Sequence, residues 1–179
     1  MVNVLSTNVS AYSISASSGA LTPVPGSPFK AGSDSYGVAT HPAGFVYVTN
    51  AYDNNVSAFS INARGGALTQ VQGSPFAAHS WPTAVAIDPS GRFAYVTNYD
   101  SNDVSAYSIN TSSGALTQVP GSGRGPLLMA IDPAGFAYVT NQGPGTVSAY
   151  TINADTGALK KVSGSPFKAG ISSFGVAIW

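Results

Sequence analysis

Apolar residues along this chain fall in short runs of β-branched, aromatic and small side chains, cut by clusters of Gly, Pro, Asn, Asp and Ser. No stretch shows the apolar spacing of an amphipathic helix, so the pattern predicts strands and turns throughout. The runs are repeats. VSAYSI at 9–14 returns as VSAFSI at 56–61, VSAYSI at 104–109 and VSAYTI at 147–152, at spacings of 47, 48 and 43 residues. Gly-Ala-Leu follows each copy, at 19–21, 66–68, 114–116 and 157–159. FVYVTN at 45–50 and FAYVTN at 93–98 and 136–141 precede three of them. Each of these is led in by an apolar segment and the turns HPAG at 41–44, DPSG at 88–91 and DPAG at 132–135.

The unit reads as four short strands: A, ending at the x-Pro-x-Gly turn; B, FAYVTN; C, NxVSAYSI; and D, GALTxVxGSPF. Polar alternation in B and C is weak, which suits a sheet covered on both faces. Four strands at a period in the forties is the signature of a propeller blade. The expected fold class is therefore all-β, a β-propeller of four-stranded antiparallel blades with four blade equivalents in one domain, 1–179. A B-strand stub with C and D strands is expected over 1–29, complete blades at about 36–76, 83–122 and 127–167, and a final A strand at 174–179.

The YVTN tetrads, the SNxVSAY segment and the GAL…GSPF strand resemble the YVTN-repeat β-propellers, which overlap with lactonase-type, 6-phosphogluconolactonase-like propellers. The resemblance runs along essentially the whole chain. It implies a seven-bladed ring of roughly twice this length, so the chain corresponds to about half of one.

Counting strands gives leftover pieces at the two ends. The A strand at 174–179 complements the C and D strands at the N-terminus, and an uncovered blade would expose pairing edges and apolar faces. Closure as a four-bladed ring, as an eight-bladed head-to-tail homodimer, or as a non-closing filament each answers that pressure. The homodimer, which asks least change of inter-blade angle, is the expected partner arrangement. Its seam would use Val2, Val4, Val9, Phe174, Val176, Ile178 and Trp179. The remaining alternative is a piece of a longer propeller.

Composition narrows the function. Charged residues make up 8% of the chain, and seven Lys and Arg balance seven acids, all Asp. No basic stripe is present for nucleic acid, and no run approaches the roughly 20 apolar residues of a membrane span. The absence of Cys removes thiolate chemistry and Cys-ligated zinc. Surface polarity carried by Ser, Thr, Asn and Gly reads as extracellular or cell-surface.

Candidate chemistry gathers in the loops joining D to the next A and B to C. They bring Tyr36, Tyr52, Trp81, Tyr99 and Phe174 together with His79 and Arg124 on one face, where aromatics beside amides and hydroxyls suit a sugar or an extended peptide. A purely architectural role for these aromatics is the competing reading. His41 stands at the turn position of Asp88 and Asp132, and turn capping explains it; His79 has no acid close by in sequence. No metal and no cofactor are expected, because two scattered imidazoles fall short of a catalytic zinc set. The Asp53–Asn55 and Asp100–Asp103 segments lack the spacing and terminal Glu of an EF-hand.

No catalytic acid or base of the lactonase-type propellers finds a counterpart in this chain, and no nucleophile elbow occurs. The expected function is therefore a non-enzymatic, self-associating propeller module serving as a structural or binding scaffold. Two alternatives stand beside it. One is a lactonase-like enzyme acting on a sugar lactone through His79 or Asp100. The other is a carbohydrate- or peptide-binding module using Trp81 and Tyr36.

Overall fold

The computed structural model describes residues 1–3, 6–119, 127–170 and 175. Val4, Arg124, Phe174, Val176, Ile178 and Trp179, and with them the expected closing strand, lie outside the described residues.

Four antiparallel units follow one another. In the first, β1 (Asn8–Val9) pairs with β4 (Phe29–Lys30) and β2 (Tyr12–Ile14) with β3 (Leu21–Pro23), and Val2 bridges Val9. The second contains β5 (Ser35–His41), β6 (Phe45–Asn50), β7 (Asn55–Ile61), β8 (Leu68–Gln70) and the short β9 (Phe76–Ala77). The third contains β10 (Pro82–Ile87), β11 (Phe93–Asn98), β12 (Asp103–Ile109) and β13 (Leu116–Val119). The fourth contains β14 (Leu128–Ile131), β15 (Phe136–Asn141), β16 (Thr146–Ile152), β17 (Leu159–Lys161) and β18 (Phe167–Lys168). The complete sheets run in chain order, β5-β6-β7-β8, β10-β11-β12-β13 and β14-β15-β16-β17, as in propeller blades. Across them, β10 lies against both β5 and β14.

The weak polar alternation of the B strands has a direct cause. All six residues of β6 and of β11 are buried. Val46 and Val48 pack back onto Val9 of the first blade, while Phe45 and Tyr47 pack forward with Tyr107, Ile109 and Leu116 of the third. Phe93 and Tyr95 repeat that forward contact against Met129, Ile152 and Leu159 of the fourth. The tyrosine hydroxyls cross the same seams, Tyr47 donating to the Gly114 carbonyl at 3.0 Å and Tyr95 to that of Gly157 at 2.7 Å. On the first blade Tyr12, Ile14 and Leu21 are exposed, although their repeat counterparts Phe59, Ile61 and Leu68 pack on the blade before them.

The expected single D strand is a correction. In the second and fourth blades it is two strands, with β8 and β17 pairing one half of the C strand and β9 and β18 the other. The Gly-Ser-Pro segment bulges between them, and its serine repairs the ladder. Ser74 Oγ accepts from the Ala58 N–H and Ser165 Oγ from that of Ala149, each at 2.9 Å. Ser27 does the same for Ala11 at 3.1 Å. Ala58 is fully buried, so Ser74→Ala leaves an amide without a partner and should cost about 1–3 kcal/mol in urea denaturation. Ser27→Ala should cost less, because water reaches the half-buried Ala11. Equal losses would contradict this account.

His41 caps its turn as expected, with Nδ1 accepting from the Ala43 N–H at 3.0 Å. Its Nε2 also lies 2.6 Å from the Gly91 carbonyl of the next blade. Because Nδ1 accepts, Nε2 carries the proton and donates across the seam. Asp88 and Asp132 keep their turn roles, accepting from the Phe93 and Phe136 amides at 2.8 Å each.

Candidate functional site: a His–Asp pair on the loop face

The D–A loops before β5 and β10 and the described B–C turns meet at one end of the blades, and local sequence sets their shape. Asn54 and Asn102 occupy equivalent turn positions with φ of 54° and 60°, a left-handed conformation that asparagine tolerates. Asp34 and Trp81 occupy equivalent D–A positions with φ of 56° and 58°. For a bulky tryptophan that conformation is a real outlier, held only when the surroundings over-determine it. Here the Trp81 N–H donates to Asn54 Oδ1 at 2.9 Å, and its carbonyl accepts from the Tyr99 N–H at 2.8 Å. The loop before β10 is thus fastened to the turns of two blades.

That fastening brings His79, which has no acid close by in sequence, to Asp103. His79 Nδ1 lies 2.6 Å from Asp103 Oδ2 across 24 residues of sequence, with the side chains 47% and 30% exposed. Asp103 Oδ1 accepts from Asn98 Nδ2 at 2.8 Å and from Ser101 Oγ at 3.0 Å. A carboxylate only accepts, so Nδ1 is the donor and Nε2 is left as a free acceptor on a half-exposed ring. A pair of this kind can orient an imidazole for proton transfer.

The pair belongs to one blade. Gly32 occupies the position of His79 in the preceding loop, and there its N–H donates to Asn50 Oδ1 at 3.0 Å while Ser35 Oγ donates at 3.2 Å. A Cβ on Gly32 would sit 2.6 Å from Asn50 Cγ, so no other residue fits that approach. In the third blade His79 and Pro82 replace that glycine and serine. The hydroxyl is gone and no N–H of this loop reaches Asn98, whose Oδ1 is buried with no hydrogen-bond partner. Its amide orientation is secured from the other side: Nδ2 donates to Asp103 and, at 2.9 Å, to Ser105 Oγ.

The other expected residues divide. Tyr99 joins the cluster through its backbone and is 47% exposed; Tyr52 sits in the same turn as Asn54 and is 72% exposed. Tyr36 is the second residue of β5 and its side chain is exposed. The carboxylate that meets the imidazole is that of Asp103, not Asp100; the sequence signal was a carboxylate where the sister repeats have Asn8, Asn55 and Thr146. Asp53 ties a loop instead, accepting from the Ser33 N–H at 2.7 Å. The described loops of this face carry Asp34, Asp53 and Asp100 beside Asp103, and neither Lys nor Arg.

The sequence matches the family described as lactonase, seven-bladed beta-propeller, over residues 1–171. Among solved structures, a protein of Bacteroides uniformis provisionally named as a 6-phosphogluconolactonase superposes with a TM-score of 0.80 at 17% identity, covering 94% of this chain and 54% of its own. A periplasmic gluconolactonase of Pseudomonas aeruginosa gives 0.75 at 20% identity, covering 94% and 52%. A provisionally named 6-phosphogluconolactonase of Bacteroides fragilis gives 0.79 at 20%, covering 91% and 49%. This chain thus spans about half the length of each, and at these identities the likeness is one of fold. No protein of curated function matches the sequence. The family match overturns the expectation of a non-enzymatic structural or binding scaffold and favours its lactonase-like alternative. The chain belongs to the lactonase, seven-bladed β-propeller family.

Proposed function

We propose that this chain carries a lactone-hydrolysing site on its loop face, with His79 as general base and Asp103 as the group that orients it. The observation that carries the reading is the 2.6 Å bond between His79 Nδ1 and Asp103 Oδ2, in a chain of the lactonase family. In the reaction, water attacks the lactone carbonyl carbon and His79 Nε2 takes the proton that water loses. The acyl–oxygen bond then breaks, and the imidazolium returns its proton to the ring oxygen, which leaves as the hydroxyl of an open-chain hydroxy acid. Asp103 stays ionised and stabilises the imidazolium. Trp81 and Tyr99 offer aromatic surface beside the pair for the apolar face of a sugar ring. The tetrads at 47–50, 95–98 and 138–141 support a finer assignment within the family, to YVTN-repeat propellers.

Acid release from glucono-δ-lactone above the spontaneous rate, followed by pH-stat, tests the reading. His79→Asn and Asp103→Asn should each lower the rate by about 10²–10⁴-fold. Asp103→Asn is the more informative variant, because Asn55 fills that position in the second blade and bonds Asn50 Nδ2 at 2.7 Å, so the fold accepts it. A rate indifferent to both substitutions would exclude the assignment.

A further inference from the structure

We infer that Asn98 is a positioning residue for the His79–Asp103 pair, a structural bridge of the repeat converted to hold a base. It rests on the lactonase reading only for its activity readout. In the second and fourth blades the same asparagine simply ties strand B to strand C: Asn50 Nδ2 donates to Asn55 and Ser57 Oγ, and Asn141 Nδ2 to Thr146 and Ser148 Oγ, all at 2.7–3.0 Å. In the third blade the strand-C partner is the carboxylate of Asp103, whose other oxygen takes His79. Asn98 thereby fixes the rotamer of Asp103, with Ser101 donating to the same oxygen, and the chain of bonds places the imidazole proton on Nδ1. The orphaned Asn98 Oδ1 marks the change. Pro82 has no hydroxyl to replace that of Ser35, and with a side chain at position 79 the backbone N–H does not make the close approach that Gly32 makes to Asn50; a buried acceptor left unpaired in a native fold calls for such an explanation. The signature is one of local stability given up at a site.

The test is a matched pair, Asn98→Ala against Asn50→Ala. Both remove the same bridge from equivalent strands, so a merely structural role predicts the same outcome for each. Imidazole ¹⁵N spectra of the full chain should show wild-type His79 protonated on Nδ1, with His41, held in the opposite tautomer, as internal reference. Asn98→Ala should move His79 out of that tautomer and lower kcat about 100-fold, while Asn50→Ala leaves both within twofold. Should Asn98→Ala fail to fold, Ser101→Ala, at an exposed position, should produce a partial change of the same kind. An unchanged His79 tautomer in Asn98→Ala or, failing that, in Ser101→Ala, or an equal change in Asn50→Ala, would overturn the inference. A wild-type chain without lactone hydrolysis whose tautomer still responds to Asn98→Ala would sink the lactonase reading and leave the positioning role standing.

Discussion

Gly157→Ala should destabilise the protein by about 2–5 kcal/mol, an expected fall in melting temperature of roughly 10 °C for a chain of this length. Two effects add. Gly157 has φ of +72°, where an L side chain is strained by about 1–2 kcal/mol. A Cβ there would also lie 2.3 Å from Phe93 Cδ1 and 2.6 Å from its Cε1. Phe93 cannot swing aside. It is buried in the seam between the third and fourth blades, and the Arg92 guanidinium lies 5.6 Å from its ring centroid. The carbonyl of Gly157 is the acceptor for the Tyr95 hydroxyl, so displacing the turn breaks a buried hydrogen bond as well. Gly19 is the control, with the same φ of +72° and nothing within 4 Å of its added Cβ. Gly19→Ala should show the backbone cost alone, about 1–2 kcal/mol. Equal losses for the two variants in thermal melts would mean that the seam does not depend on this contact.

Alkaline pH should unfold the protein steeply. Burial pushes the Tyr47 and Tyr107 hydroxyls up to about 12. Burial, with the Asp88 charge added, pushes Tyr95 up further. In the unfolded chain each ionises near 10. Below that pH both states hold the proton and stability does not change. Above it the unfolded state releases protons that the folded state retains, so stability falls by about 1.4 kcal/mol per pH unit for each tyrosine. Three together give a slope of roughly 4 kcal/mol per unit, large against a typical domain stability of about 5–15 kcal/mol. The strand circular dichroism should therefore be lost, together with a jump in tyrosinate absorbance from these three, in one cooperative step above pH 10. Tyr95→Phe should flatten the slope by about a third while lowering neutral-pH stability by about 1 kcal/mol, because the Gly157 carbonyl loses its donor. Gradual titration of all nine tyrosines near pH 10 with the strands intact would contradict the burial of these three.

Both predictions concern the seams between blades, where side chains far apart in sequence meet. The strands themselves were legible without them. Repetition of VSAYSI, FAYVTN and Gly-Ala-Leu locates the strands of the later blades to within a few residues, since local β preference and turn chemistry act over a few neighbours. The break in strand D was not legible. Val71 and Phe76 fall in one expected strand, GALTxVxGSPF, and only the pairing shows Ser74 taking an amide that the bulge would otherwise strand.

The candidate site divides the same way. His79, Trp81 and Tyr99 were visible as residues peculiar to one repeat in loops bound to share a face. Asp103 stands in the sequence as one of the acids of the Asp100–Asp103 segment, and its contact with His79 requires the loop before β10 to fold over the turn between β11 and β12. The role of His41 shows this in miniature: its turn cap spans two residues and follows from sequence, whereas its bond to Gly91 spans 50 and follows from blade packing. By itself, then, the sequence determined an all-β chain of propeller blades, because period, turn residues and strand chemistry are local properties repeated four times. The tertiary structure alone decided which imidazole meets which carboxylate and which asparagine loses its partners, because those contacts depend on how neighbouring loops cross.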